Sequence, residues 1–145
     1  MPVPVIDLFA GPGGLGEGFA RQRAADFRIV ISVEKDEMAH DTLRLRAAHR
    51  ALRRSGQAVA ATWRVWDSLV ASEPWNVLFY RLRDCGDPLI RAACLEAERE
   101  ALNLELGLST RRRVSDEIRE RLMPWMRISA HRGRHFRLIV DGISA

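Results

Sequence analysis

Residues 3–9, VPVIDLF, form a short apolar run broken by one acid, and residues 28–33, RIVISV, form a second run rich in β-branched side chains. Between them five glycines fall within residues 11–18, a density that marks a tight turn, and a helix is expected over residues 14–23. Strand, glycine turn, helix and strand make a βαβ unit, whose crossover builds a parallel sheet with right-handed connection. Asp36 suits the N-cap of a further helix running to about residue 54, with Met38, Leu45 and Leu52 on one stripe. Arg46, Arg50, Arg53 and Arg54 gather on another face, and Leu43 falls among them as an exception that predicts a contact with another element.

From Gly56 to Ile128 the pattern is mostly helical. Asp87 followed by Pro88 reads as an N-cap and first-turn proline, after which Ile90, Cys94, Ala97, Ala101 and Leu104 recur at helical spacing. Ser115 is a candidate start for another helix containing Ile118, Leu122 and Trp125, which Pro124 is expected to kink or end. Residues 136–140, FRLIV, are a third strand candidate, and no internal repeat is present. The predicted organisation is one α/β domain over residues 1–145: a βαβα unit over 1–54, a helix-rich second half over 55–135 and a terminal strand over 136–145.

Composition adds bounds. A chain of 145 residues with 47% apolar and 29% charged residues has the profile of a globular domain rather than a disordered one. No uncharged run is long enough to cross a bilayer, and Asp7 interrupts the apolar start that a signal peptide would need, so a cytoplasmic location is expected. Two cysteines, Cys85 and Cys94, make no disulfide framework and match no common zinc spacing. The net charge is +4 with 22 arginines and one lysine. Residues 111–137 carry nine arginines against Asp116, Glu117 and Glu120, a basic surface that suits phosphate backbones.

The candidate chemistry lies at the first turn. Gly11, Gly13 and Gly16 satisfy GxGxxG between a strand and a helix, with Glu34 about 20 residues further on, as in dinucleotide sites. Such glycines let the backbone approach a nucleoside ligand, and an acid ending the second strand can accept hydrogen bonds from two ribose hydroxyls. Taken alone, this motif allows a nicotinamide-dependent oxidoreductase. Asp7 and Phe9 point elsewhere: they put a carboxylate and an aromatic face at the carboxyl end of the first strand, where a cationic, adenine-bearing ligand would use both.

IDLFAGPGGLGEGF followed by SVEKDEMAHDTLRLR resembles the first two motifs of DNA cytosine-5 methyltransferases, over about residues 5–48. The resemblance implies a partial Rossmann-like methyltransferase core that binds S-adenosylmethionine and acts on cytosine in DNA. It implies that Phe9 packs against the adenine, that Ala10, Gly11, Gly13, Gly14 and Leu15 hold the methionine portion beside Asp7, and that Glu34 binds the ribose. The position after the acid, often an aromatic in that family, is Lys35 here.

That family attacks the cytosine ring with a cysteine from a Pro-Cys loop, so that the neighbouring carbon can take the methyl. Here the apolar residues 138–140 are followed by Asp141, Gly142, Ile143, Ser144 and Ala145, which lack that motif. Neither Cys85 nor Cys94 has its setting. No catalytic residue is therefore assigned and the chain is not expected to methylate DNA unaided: it reads as a fragment, a frameshifted remnant or one half of a split enzyme, and the split case predicts a second polypeptide supplying the Pro-Cys loop and target recognition. His131 and His135 are one helical turn apart, but Gly133 and the flanking arginines argue against a metal site. Arg111, Arg112 and Arg113, with Trp125, are candidates for contact with DNA by charge and stacking, and they keep open a non-catalytic nucleic-acid-binding module.

Overall fold

The computed structural model describes residues 2–22 and 26–130. The chain forms an α/β fold in the order β1 (Val3–Asp7), α1 (Gly14–Ala20), β2 (Phe27–Glu34), α2 (Glu37–Ser55), α3 (Ala60–Ser72), α4 (Trp75–Arg83), α5 (Pro88–Glu100), β3 (Ala101–Asn103) and α6 (Arg111–Ala130). The three strands make one parallel sheet in the order β1-β2-β3, as a partial Rossmann-like fold requires. β2 is central, and its Ile29, Ile31 and Val33 are all buried. α1 packs on β2 at Gly16, which is buried beside the Ile29 side chain.

The local signals for α2 and α5 hold in three dimensions. The Asp36 carboxylate accepts from the Ala39 amide at 2.8 Å, and Asp87 accepts from the Leu89 and Ile90 amides at 2.9 and 3.1 Å. Each such cap contributes about 1 kcal/mol. The main core joins α2, α3, α4 and α5 through Leu52, Trp66, Leu78, Phe79, Leu82, Ile90 and Cys94, and each large apolar side chain buried there contributes about 1.5–3 kcal/mol. Arg44 is buried with them, its guanidinium 4.4 Å from the Phe79 ring centre and 5.0 Å from that of Tyr80.

Four expectations need correction. Met38 does not share the buried stripe of Leu45 and Leu52; it is 77% exposed in the first turn of α2, beyond the reach of the helices that cover the rest. Ala101 and Leu104 do not continue α5, because Ala101, Leu102 and Asn103 pair with Ser32, Val33 and Glu34 as the strand β3. Pro124 does not end a helix: α6 runs through it from Arg111, four residues before the expected start. Packing against β1 and β2, with Val114 and Leu122 buried and the Arg121 guanidinium donating to the Val30 carbonyl, offsets the lost backbone hydrogen bond. The first strand ends at Asp7, so Leu8 and Phe9 belong to the loop. The strand candidate 136–140 and the histidines 131 and 135 lie outside the described residues. No described helix is long and apolar enough to cross a membrane.

Candidate nucleoside site at the strand ends

The carboxyl ends of parallel strands are where open α/β sheets bind ligands, and three chain segments converge there. The loop after β1 stays attached to β2, with the Ala10 amide donating to the Val33 carbonyl at 3.1 Å, and β3 is extended by the Leu104 amide donating to the Glu34 carbonyl at 3.2 Å. A cavity of about 160 Å³ opens among them, lined by Leu8, Phe9, Val33, Glu34, Lys35, Leu104, Glu105 and Leu106. This is smaller than the roughly 300–1,000 Å³ of clefts that enclose whole ligands, so it suits one ring-sized part.

Glu34 organises the site. Its Oε2 accepts from the Gly11 amide and its Oε1 from the Asp36 amide, both at 2.8 Å. One carboxylate thereby ties the glycine loop to the start of α2. A carboxylate offers about four lone-pair positions, so about two remain for a ligand's hydroxyls. Phe9 stands above the cavity with 79% of its surface exposed, which a core role for that ring would not leave.

The glycine loop is open on its outer side. A Cβ added at Gly11 or Gly14 would meet nothing within 4 Å, whereas one at Gly13 would come within 2.9 Å of Leu43 Cδ1. Gly13 also has φ +84°, a conformation that side-chain-bearing residues rarely adopt. Leu43, the exception on its helix face, is thus buried against the turn and near Ala10 and Ala101. Leu15 is 65% exposed at the start of α1, while Asp7 is only 8% exposed beneath the loop. Among the described residues the Asp7 carboxylate has no hydrogen-bond or ion-pair partner.

Lys35 Nζ pairs with Glu105 at 3.3 Å, joining the ends of β2 and β3. Sequence reasoning missed five lining residues: Leu8 and Val33, which flank predicted ones, and the separate segment Leu104, Glu105 and Leu106. The signal of that segment was present, since Leu102, Leu104 and Leu106 alternate with Asn103 and Glu105 as in a strand. Burial lowers the pKa of His40 below its ordinary value. Its Nε2 lies 3.2 Å from the Ala101 carbonyl, which can only accept, so Nε2 carries the hydrogen and fastens α2 to β3.

Other predicted residues stand apart. Arg111, Arg112 and Arg113 are exposed at the start of α6, beside Asp116, Glu117 and Glu120. Trp125 lies at least 12 residues further along the same helix, about 18 Å away at 1.5 Å per residue, and adjoins Pro2, Arg28 and Arg121. The arginine cluster and the indole therefore do not form one patch. Cys94 is fully buried, and burial pushes its thiol up to about 12, far from the thiolate form that a nucleophile needs. Among the described residues no cluster of His, Cys, Asp and Glu is arranged to hold a metal ion.

Comparison with curated proteins finds similarity to the Type II methyltransferase M.Bpa9945I of Bacillus paralicheniformis, 45% identical over 49 residues. The matched stretch is 34% of this chain and 10% of that protein. It supports a relationship to methyltransferases as a broad class. No family model and no solved structure matches the chain.

Proposed function

We propose that this chain is the S-adenosylmethionine-binding part of a DNA cytosine-5 methyltransferase. The observation that carries the proposal is the cradle made by Glu34, Gly11 and Phe9. A carboxylate fixed by two backbone amides at 2.8 Å sits beside a ring-sized cavity under an exposed aromatic face. A nucleoside fits these parts: the base against Phe9 and the Leu104–Leu106 segment, the ribose hydroxyls on Glu34, and the amino-acid portion along Gly11 and Gly14, where no side chain intervenes. Asp7, with no hydrogen-bond or ion-pair partner among the described residues, leaves a carboxylate beside the loop for a cationic ligand. When bound, S-adenosylmethionine supplies an electrophilic methyl group on a sulfonium.

The likeness to a Type II methyltransferase supports this reading, and nothing in the comparison favours the nicotinamide alternative. The choice of cytosine and of its ring carbon rests on the sequence resemblance. Transfer itself calls for a cysteine in a reactive setting, which buried Cys94 does not provide. Cys85, the chain's other cysteine, follows Asp84 in the turn after α4 and lacks the Pro-Cys setting, so on this reading the cysteine and the target-recognition surface are supplied by a second polypeptide.

Calorimetry with S-adenosylhomocysteine and with NAD tests the proposal. Heat with the first alone is expected, and Phe9→Ala and Glu34→Ala should each weaken it. Heat with NAD alone would overturn it.

A further inference from the structure

A second cleft, of about 420 Å³, lies on the helical side of the glycine loop and shares no lining residue with the cavity at the strand ends. Its volume falls within the roughly 300–1,000 Å³ of small-ligand sites. Trp66 forms one wall as a buried part of the core, and Trp75 lies at its edge with 51% of its surface exposed. Trp75 is nonetheless held: its Nε1 donates to Thr42 Oγ1 at 3.3 Å, and that hydroxyl donates to the Met38 carbonyl at 3.1 Å. A positioned indole facing water is a stacking platform whose ordering cost is already met in the free protein.

The polar groups of the cleft are unequal. Glu17 is compensated, with Oε1 bonded to Arg50 and Oε2 3.7 Å from Arg21. Arg46 is exposed, and among the described residues its guanidinium has no carboxylate partner. His49 packs its ring 5.5 and 5.7 Å from those of Trp63 and Trp66. Burial lowers its pKa, so the neutral imidazole, with one donor and one acceptor, borders the cleft. A stacking face, a neutral ring edge and one uncommitted cation match a planar base joined to a phosphate.

We propose that the cleft between α1 and α4 is a nucleotide site, in which a base stacks on Trp75 and its phosphate pairs with Arg46. The nucleotide is either free or one unstacked unit of a single strand, since both present the same groups. The cleft adjoins the glycine loop at Gly14, but Trp75 and Arg46, which carry the proposal, have no part in the cofactor assignment.

The test uses the full chain with two probes: AMP, followed by tryptophan fluorescence, and a fluorescein-labelled oligothymidylate, followed by anisotropy. Binding of AMP marks a free nucleotide as the ligand, and binding of the oligonucleotide without AMP marks a strand. In either case Trp75→Ala should lower affinity by about 5- to 150-fold, the range for one stacked base, while Trp75→Phe retains most of it. Arg46→Gln, at an exposed position that leaves the core intact, should weaken binding and reduce the log–log salt slope of the oligonucleotide by about 0.7. Binding of neither probe, or unaltered affinity in both Trp75→Ala and Arg46→Gln, would overturn the proposal. S-adenosylhomocysteine binding, expected to be unchanged in Trp75→Ala, is read separately, so a failure here leaves the cofactor assignment to stand or fall by itself.

Discussion

The strand-end site and the helical layer beside it are built in opposite ways. In the helical layer Leu82, Ile90 and Cys94 are wholly shielded from solvent, and two capped helices hold them in register. At the strand ends the apolar groups face outward, with Phe9 and Leu15 exposed, and backbone amides rather than side chains shape the surface. The difference separates two tasks. Burial in the helices supplies stability, and the loop can then leave apolar and polar groups unburied for a ligand.

Arg50 joins the two regions, which makes it the first place to break the separation. It bridges Glu17 of α1 and Glu100 at the end of α5 with its side chain 8% exposed. Burial raises the pKa of Glu100, and Arg50 is the main group opposing that rise. Arg50→Ala leaves a buried carboxylate uncompensated and should cost about 3–5 kcal/mol in urea denaturation. A smaller loss, below about 1 kcal/mol, would show that the two regions are tied together elsewhere.

Gly13→Ala tests the loop alone. The backbone conformation and the approach of Leu43 both exclude a side chain. The expected loss is about 1–3 kcal/mol, with S-adenosylhomocysteine affinity falling by more than the stability change alone would give. Equal affinity in the variant would show that the turn does not set the site.

Acid should weaken the fold through two half-buried histidines, His40 at the strand ends and His49 in the helical layer. His40 and His49 both have pKa values lowered from 6.5 by burial. In the window below 6.5 the unfolded chain binds protons that the folded chain resists, so stability is full above that pH and falls as pH drops through it. Urea midpoints at about pH 7.5 and 5.5 should show this decline, and His49→Gln should make the dependence shallower. The smallest effect is expected at Lys35→Ala. Its pair with Glu105 is 66% and 74% exposed, and such pairs contribute up to about 1 kcal/mol. A larger change in ligand affinity than in stability there would assign the pair to the site mouth.

Much of this was visible along the chain because the signals are local. A carboxylate caps amides two or three residues ahead, as Asp36 and Asp87 do, and a glycine relaxes the backbone at its own position, as at Gly13. The βαβ start, α2 and α5 followed from such rules, whereas Phe9, Gly11 and Glu34 were singled out by the glycine motif and the family resemblance, and their part in a site remains a proposal. β3 was not seen, although its alternating leucines were present, because Ala101 and Leu104 also fit the helical spacing of α5.

What only the tertiary structure decided are the pairings between residues remote in sequence: Glu34 with Gly11, Leu43 with Gly13, and Arg50 with both Glu17 and Glu100. It also decided that α6 runs through Pro124, and that Leu104, Glu105 and Leu106 line the cavity. The physical reason is range. Caps, turns and periodicity act over a few residues, whereas burial and charge compensation depend on which distant segments the sheet and helices bring into contact.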